Sequence, residues 1–176
     1  MTEIDLKSIE RLRKARRYEE ALSECDNLLK EESSSQIEIL RTRARIFVGL
    51  DDYERATQDY LTIIDAGEGE LKDYYLAANY ALYAGKFGAA AAGFRELLRL
   101  GDEQNEIWFK SAAYFLLAYT LMELGQYREA IMSLDNAIAV EADVAMPVPL
   151  ACGMWSHQQL REEIKRRETQ GRAEQA

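Results

Sequence analysis

The chain of 176 residues is 48% hydrophobic and carries a formal net charge of −9. This length suits one domain with a sizeable core, and the acidic charge argues against nucleic acid as a partner. Only ten glycines and two prolines are present, which leaves little material for the tight turns of a many-stranded β fold. The composition therefore favours an all-α protein with long helices.

Residues 1–14 are rich in charge and lack the apolar run of a signal peptide. No stretch approaches about 18 consecutive apolar residues, so no membrane span is expected. The two cysteines, Cys25 and Cys152, lie far apart in no CxxC pattern, and reduced thiols are favoured over a disulfide. We therefore expect a cytoplasmic protein that does not contact a membrane.

Four segments align without gaps and divide the first 141 residues into repeats. Each segment has an aromatic residue, an alanine three places later, and further apolar residues at spacings of four and three. The aromatic and alanine pairs are Tyr18 and Ala21, Tyr53 and Ala56, Phe87 and Ala90, and Tyr127 and Ala130. These spacings place the apolar side chains on one face of a helix. The small alanine predicts a close approach of two helices.

The position two residues before each aromatic predicts a sharp turn between a first and a second helix. Gly85 and Gly125 occupy it in the third and fourth segments, where glycine permits the left-handed backbone that ends a helix. Arg16 and Asp51 occupy it in the first two segments. Each segment is thus predicted to be the second helix of a helix pair.

The aromatic residues follow one another at offsets of 35, 34 and 40 residues. This pattern resembles the tetratricopeptide repeat (TPR), a helix pair with a period of about 34 residues. The glycine–x–aromatic sequences at 85–87 and 125–127 match the family pattern, whereas the proline that usually closes a repeat is absent. The resemblance covers about residues 3–141 and implies a right-handed superhelix of about four helix pairs. The last offset predicts extra residues near 102–107.

The sequence after residue 141 does not continue the repeat. Pro147 and Pro149 disfavour helix at the residues before them, so a break is expected at residues 142–148. A helix is predicted over residues 149–168, because proline suits the first helical position and apolar residues then recur on one face. This helix would cap the apolar surface of the last repeat, and residues 169–176 would form a polar tail.

The potentially reactive residues do not form a recognisable catalytic or metal-binding motif. Ser156 and His157 are adjacent, and adjacent helical side chains point about 100° apart, so they cannot form a nucleophile–base pair. One histidine and two separated cysteines do not supply the about three or four ligands of a zinc site. We therefore predict no enzyme activity, no catalytic residue, no metal and no cofactor. A structural role is favoured for His157.

The resemblance implies a concave groove lined by the first helix of each pair, since helical-repeat arrays bind partners on this surface. Carried over by register, the predicted lining residues are Arg13, Lys14, Arg41, Arg45, Lys72, Tyr75, Asn79, Tyr83, Phe115, Tyr119 and Met122. The early part of this set is basic and the later part is aromatic. It favours a peptide with acidic groups followed by apolar anchors. Tyr75 and Tyr83 are equally compatible with a place between repeats.

These observations predict a non-enzymatic module that binds a segment of another protein, as an adaptor or a secretion-type chaperone. The alternative is an immunity or inhibitor protein, because residues 101–148 contain eight acidic and two basic residues and would attract a basic toxin or enzyme. The acidic stretch equally suits solubility. Self-assembly through exposed repeat faces is a third hypothesis, and the sequence is compatible with a homodimer.

Overall fold

The structure is a computed structural model that describes residues 3–30, 36–141, 145–148 and 153–174. Within these ranges, four helix pairs are followed by a β-hairpin and a last helix. The elements in chain order are α1 Glu3–Lys14, α2 Tyr18–Leu29, α3 Gln36–Gly49, α4 Tyr53–Asp65, α5 Leu71–Tyr83, α6 Phe87–Glu103, α7 Lys110–Glu123, α8 Tyr127–Val140, β1 Ala145–Val148, β2 Gly153–Ser156 and α9 His157–Glu174. Every helix in the described ranges is too short or too polar to span a lipid bilayer.

The chain divides into two compact units, which are described separately. The N-terminal unit comprises residues 1–80, and the C-terminal unit comprises residues 81–176. In the N-terminal unit, α2 packs against α1 and α3, and α4 packs against α3. In the C-terminal unit, α7 packs against α6 and α8, and α9 packs against α8. These helices therefore pack chiefly against their neighbours in the sequence, as a repeat protein requires.

A residue with left-handed backbone closes the first helix of every pair. These residues are Arg16, Asp51, Gly85 and Gly125, with φ values of 57°, 56°, 70° and 73°. In the first pair, the Arg16 N–H donates to the Arg13 carbonyl at 3.0 Å, and the Arg17 N–H donates to the Leu12 carbonyl at 2.9 Å. The other three junctions repeat this double hydrogen bond, which is the Schellman closure of an α-helix. The left-handed backbone expected at Gly85 and Gly125 is confirmed, and Arg16 and Asp51 adopt it as well, although neither is a glycine.

The apolar positions of the repeat pattern form the core. The alanines at the third place after each aromatic are fully buried: Ala21, Ala56, Ala90 and Ala130. The next position in the pattern is also buried in every repeat, where it holds Cys25, Tyr60, Phe94 and Leu134. An alanine contributes only a methyl group, so a neighbouring helix can lie close to the backbone there. The predicted buried face of each second helix is confirmed.

The extra length of the third repeat lies mainly at the end of its second helix. Helix α6 has 17 residues, whereas α2 has 12 and α4 has 13. Gly101 is buried in this extension, and a Cβ added there would clash with the ring of Phe109. A short connection then leads to α7. The insertion predicted near 102–107 is therefore about one further turn of α6 followed by a loop.

The C-terminal segment begins its helix later than the sequence predicted. Residues 145–148 and 153–156 pair as an antiparallel hairpin, with Met146 opposite Trp155. Helix α9 starts at His157 instead of 149 and runs to Glu174 instead of 168. Pro149 lies outside the described residues.

A capping box explains where α9 begins. The Gln159 N–H donates to Ser156 Oγ at 3.2 Å, and the Ser156 N–H donates to Gln159 Oε1 at 2.8 Å. This reciprocal pair satisfies two backbone N–H groups at the helix start. Ser156 thus sets the first turn, a role that the sequence prediction assigned to proline.

Helix α9 lies against the last repeat with a polar face outward. His157, Leu160 and Ile164 are buried at spacings of three and four residues. Arg161 is ion-paired with Asp135 of α8, and Arg167 is ion-paired with Glu123 of α7 at 2.9 Å. The structure therefore has a helix in the capping position, although its bounds differ from the predicted ones.

A pair of glycine substitutions tests the left-handed closure. We expect Gly85→Ala to lower the free energy of unfolding by about 1 kcal/mol or more, because alanine is strained at a φ of 70°. Gly88→Ala is the matched control, since Gly88 lies in α6 with open space around its Cα. There the same change should leave stability unchanged or raise it by up to about 1 kcal/mol. Urea unfolding followed by circular dichroism measures both, and equal shifts of the same sign would contradict this account.

Candidate functional site

Two depressions lie on the N-terminal unit, and five of the predicted groove residues line them: Arg13, Lys14, Arg41, Arg45 and Lys72. The first depression, about 460 Å³, is lined by Leu6, Lys7, Glu10, Arg13, Lys14, Glu38, Thr42 and Arg45. The second depression, about 430 Å³, is lined by Glu38, Arg41, Arg45, Tyr60, Glu70, Lys72, Asp73, Leu76 and Tyr80. We call these lining residues together the inner face. The two depressions adjoin each other, because Glu38 and Arg45 line both.

Helix α3 lines both depressions, because several of its residues recur at spacings that match the helical turn. Its residues 38, 41, 42 and 45 recur at spacings that place them on one side of the helix. Arg43 lies on another side, where its guanidinium makes two hydrogen bonds to Asp59 of α4, at 2.6 and 3.0 Å. It also binds Asp26 of α2 at 2.7 Å. Arg43 therefore ties α3 to both of its packing neighbours and orients the inner face.

Arg41 is a structural tie between α3 and α5. Its guanidinium binds both carboxylate oxygens of Asp73, at 2.8 and 3.1 Å, and also pairs with Glu38 and Glu70. The Asp73 side chain is 4% exposed, and it also accepts the Glu70 N–H at 2.9 Å at the start of α5. The hydrogen bond from Arg41 to Asp73 raises the pKa of Arg41 above its ordinary value. The prediction that Arg41 offers its charge to a partner is thus corrected, because this charge is already neutralised.

The other predicted basic residues come together at the first depression. Arg45 donates to Thr42 Oγ1 at 3.0 Å and lies 3.4 Å from Glu10, yet 47% of its side chain is exposed. Arg13 pairs with the same Glu10 at 2.9 Å, and Lys14 is exposed at the end of α1. The lining of this depression contains four basic and two acidic residues. A local positive surface therefore exists in an acidic chain.

The second depression has balanced charge and an aromatic lining. Tyr60 of α4 and Tyr80 of α5 lie with ring centroids 6.0 Å apart, and Leu76 lies on the same lining. Lys72 is exposed at this depression, whose lining also includes the acidic residues that pair with Arg41. Tyr60, Leu76 and Tyr80 were not among the predicted site residues. Tyr60 occupies a core position of the repeat pattern, so the pattern alone indicated a buried role.

Three further predictions fall outside these depressions. Tyr75 and Asn79 are half-buried on α5 and do not line either one. Tyr83 is half-buried and belongs to the C-terminal unit.

The aromatic groove residues predicted on α7 are covered by the chain itself. Phe115, Tyr119 and Met122 are all buried. The Phe115 ring meets His157 edge to face at 5.4 Å, and the Tyr119 ring meets Trp155 in the same way at 6.0 Å. The prediction that these residues line an open groove is wrong, because β2 and the first turn of α9 occupy that side of α7. The sequence could have indicated that these residues are buried, because α7 is apolar on all sides and such a helix is normally buried.

The potentially reactive residues in the described part of the chain are engaged in packing or in helix capping. Cys25 is buried, and burial raises the pKa of its thiol to about 12, which disfavours the nucleophilic thiolate. Ser156 caps α9, and His157 packs on Phe115. In the described residues no cluster of three or more histidine, cysteine or acidic side chains could hold a metal ion. Cys152 lies outside the described residues.

The fold matches that of solved TPR proteins, although no family model and no curated protein matches the sequence. The chain is similar to MamA, with a TM-score of 0.67 and 15% identity over 93% of this chain and 86% of MamA. It is similar to the TPR-like repeats of a putative kinesin light chain from Podosopora anserina, with a TM-score of 0.64 and 16% identity over 97% and 88% of the two chains. It is also similar to YrrB, a TPR protein with an unusual peptide-binding site, with a TM-score of 0.62 and 16% identity over 78% and 68%. The chain therefore has the TPR fold, and the predicted all-α helical-repeat architecture is confirmed.

Two isosteric substitutions separate the roles of the carboxylates around Arg41. We expect Asp73→Asn to lower the free energy of unfolding by about 2–4 kcal/mol, because it leaves a half-buried guanidinium without its buried counter-charge. Glu70→Gln removes another carboxylate partner of this guanidinium. Because the Glu70 side chain is 70% exposed, this change should lower the free energy of unfolding by less than about 1 kcal/mol. Urea denaturation of both variants checks this, and equal losses would contradict the assignment of Arg41 to structure.

A second comparison tests the packing of α9. Leu160→Ala should lower the free energy of unfolding by about 2–4 kcal/mol, since it leaves a cavity beneath the helix. Lys165→Ala, on the exposed side of the same helix, should change stability by less than about 0.5 kcal/mol. Backbone hydrogen exchange in α7 and α8 reports whether α9 protects these two helices. The exchange should accelerate only in the Leu160→Ala variant. Unchanged exchange in that variant would show that α9 does not protect the last repeat.

Proposed function

We propose that the chain is a non-enzymatic protein–protein interaction module that holds a segment of a partner protein on the inner face of its N-terminal unit. The observation behind this proposal is the positive surface that Arg13, Lys14 and Arg45 form at the first depression. A chain with a net charge of −9 gains nothing in solubility from such a cluster, so a negative ligand is the simplest reason for it. The likeness to YrrB, which has a peptide-binding site, supports the same class of function.

The two depressions favour a segment with acidic residues at one end and an apolar residue at the other. Acidic side chains would lie near Arg45 in the first depression, where opposite charges speed association and set the direction of the segment. An apolar or aromatic side chain would contact Tyr60, Leu76 and Tyr80 in the second. Packed helices lie about 10 Å apart, which an extended chain spans in about three or four residues. The proposed ligand therefore has its apolar anchor about three or four residues from its acidic group.

An adaptor or chaperone role is favoured over an inhibitor that neutralises a basic enzyme or toxin. The inhibitor hypothesis depends on the acidic stretch at residues 101–148, and most of its described acidic side chains are already paired. The pairs are Asp102 with Lys110, Glu103 with Arg99, Glu123 with Arg167, Glu129 with Arg95, and Asp135 with Arg161. Four of these five basic partners lie outside the stretch in sequence. Pairing of this kind leaves much less charge to attract a basic partner than the sequence count suggests.

Selection from a random peptide library on the full-length chain tests the proposal. Enriched peptides should contain Asp or Glu and an apolar residue about three or four positions away. Their affinity for the Arg45→Glu variant should fall by about tenfold or more and should decrease with added salt. Arg99→Glu is the matched control, because it changes the net charge equally at an exposed arginine of α6. Equal losses in both variants, or no loss in Arg45→Glu, would overturn the assignment to the inner face.

A further inference from the structure

The connection between α6 and α7 holds two large apolar side chains in water. Ile107 is 68% exposed and Trp108 is 59% exposed. In the described part of the chain, no other two adjacent large hydrophobic residues are both exposed. Single exposed apolar residues are ordinary on protein surfaces, but an adjacent isoleucine and tryptophan form a continuous apolar surface. Tryptophan is also among the residues that contribute most to protein–protein binding.

This connection is held in place by its own hydrogen bonds. The Glu106 N–H donates to the Gly101 carbonyl at 2.8 Å, and Asn105, with a φ of 56°, closes α6 in the same way as the four repeat junctions. The Lys110 N–H donates to the Ile107 carbonyl at 3.0 Å. Lys110 Nζ also binds Asp102 at 2.6 Å across the loop. The two apolar side chains are therefore presented on a defined backbone.

The Trp108 indole is oriented by the core beneath it. Its ring meets Phe109 edge to face, with centroids 5.1 Å apart and an interplanar angle of 83°. Phe109 is itself buried against Gly101, where any larger residue would clash with it. An aromatic side chain that is already oriented loses little conformational entropy on binding. The geometry thus favours a binding role for Trp108 over incidental exposure.

The charges around the connection indicate what kind of partner fits it. Arg99 is shared between Glu96 and Glu103, so one negative charge remains there after pairing. Glu106 adds another exposed negative charge beside Ile107. A second copy of this chain that docked by the same surface would bring these negative charges together. A partner with basic residues around an apolar side chain would instead be attracted.

We propose that Ile107 and Trp108 form a second docking surface, which binds an apolar segment of a partner protein flanked by lysine or arginine. This surface differs from the inner face in location and in the sign of its charge.

Tryptophan fluorescence tests this proposal directly. The chain has two tryptophans, so a Trp155→Phe background leaves Trp108 as the sole reporter. The probes are three short synthetic peptides without aromatic residues: one of leucine and lysine, one of leucine and glutamate, and one of serine and lysine. We expect only the leucine–lysine peptide to give a saturable blue shift of the Trp108 emission.

Substitutions define the surface in the same assay. Ile107→Ser should weaken binding of the leucine–lysine peptide by about tenfold or more, and Glu106→Lys should weaken it as well. Met132→Ser is the matched control, since Met132 is a 61% exposed apolar residue on α8, and should leave the affinity unchanged. Equal binding of all three peptides, or no effect of Ile107→Ser, would overturn the proposal. So would concentration-dependent dimerisation in light scattering that Trp108→Ala abolishes, because a second copy would then be the occupant.

Discussion

The left-handed residue that ends each first helix is the constraint from which the rest of the structure follows. It turns the chain within three residues, so the second helix begins at a fixed distance from the end of the first. The aromatic residue then lies at the first position of the second helix, and the alanine three places later lies against the neighbouring helix. Glycine adopts this backbone at little cost, whereas Arg16 and Asp51 adopt it against their intrinsic preference. The packing of the first two pairs therefore stabilises a conformation that their sequences alone disfavour.

Helix α3 both packs against its neighbouring helices and contributes to the exposed inner face. Two of its arginines, only two residues apart, hold it in place. Arg43 connects α2, α3 and α4 through Asp26 and Asp59. Arg41 connects α3 to α5 through Asp73. In both cases the planar guanidinium donates two hydrogen bonds to the oxygens of one carboxylate. With these ties in place, the arginine one turn further along α3, Arg45, remains exposed beside the first depression.

The sequence predicted the helix pairs well because their signal is local: the aromatic, the alanine and the turn residue lie within six positions of one another. The site was harder to predict because its decisive contacts are distant in sequence. Asp73 neutralises Arg41 from 32 residues away. Trp155 covers Tyr119 from a segment outside the repeat. At the C-terminus, the helix was predicted to start at Pro149, whereas α9 begins at the capping box of Ser156 and Gln159. A capping box satisfies backbone N–H groups at a helix start, which proline only removes.

Helix α9 covers the C-terminal side of the last repeat. In a TPR array, the surface of a last second helix would accept the first helix of one more repeat. Here α9 occupies that surface of α8, and it turns glutamine, glutamate and lysine side chains toward solvent. An additional repeat appended after residue 174 would meet this polar surface and find no apolar face to pack on. New repeats added on this side would therefore have to be inserted before α9.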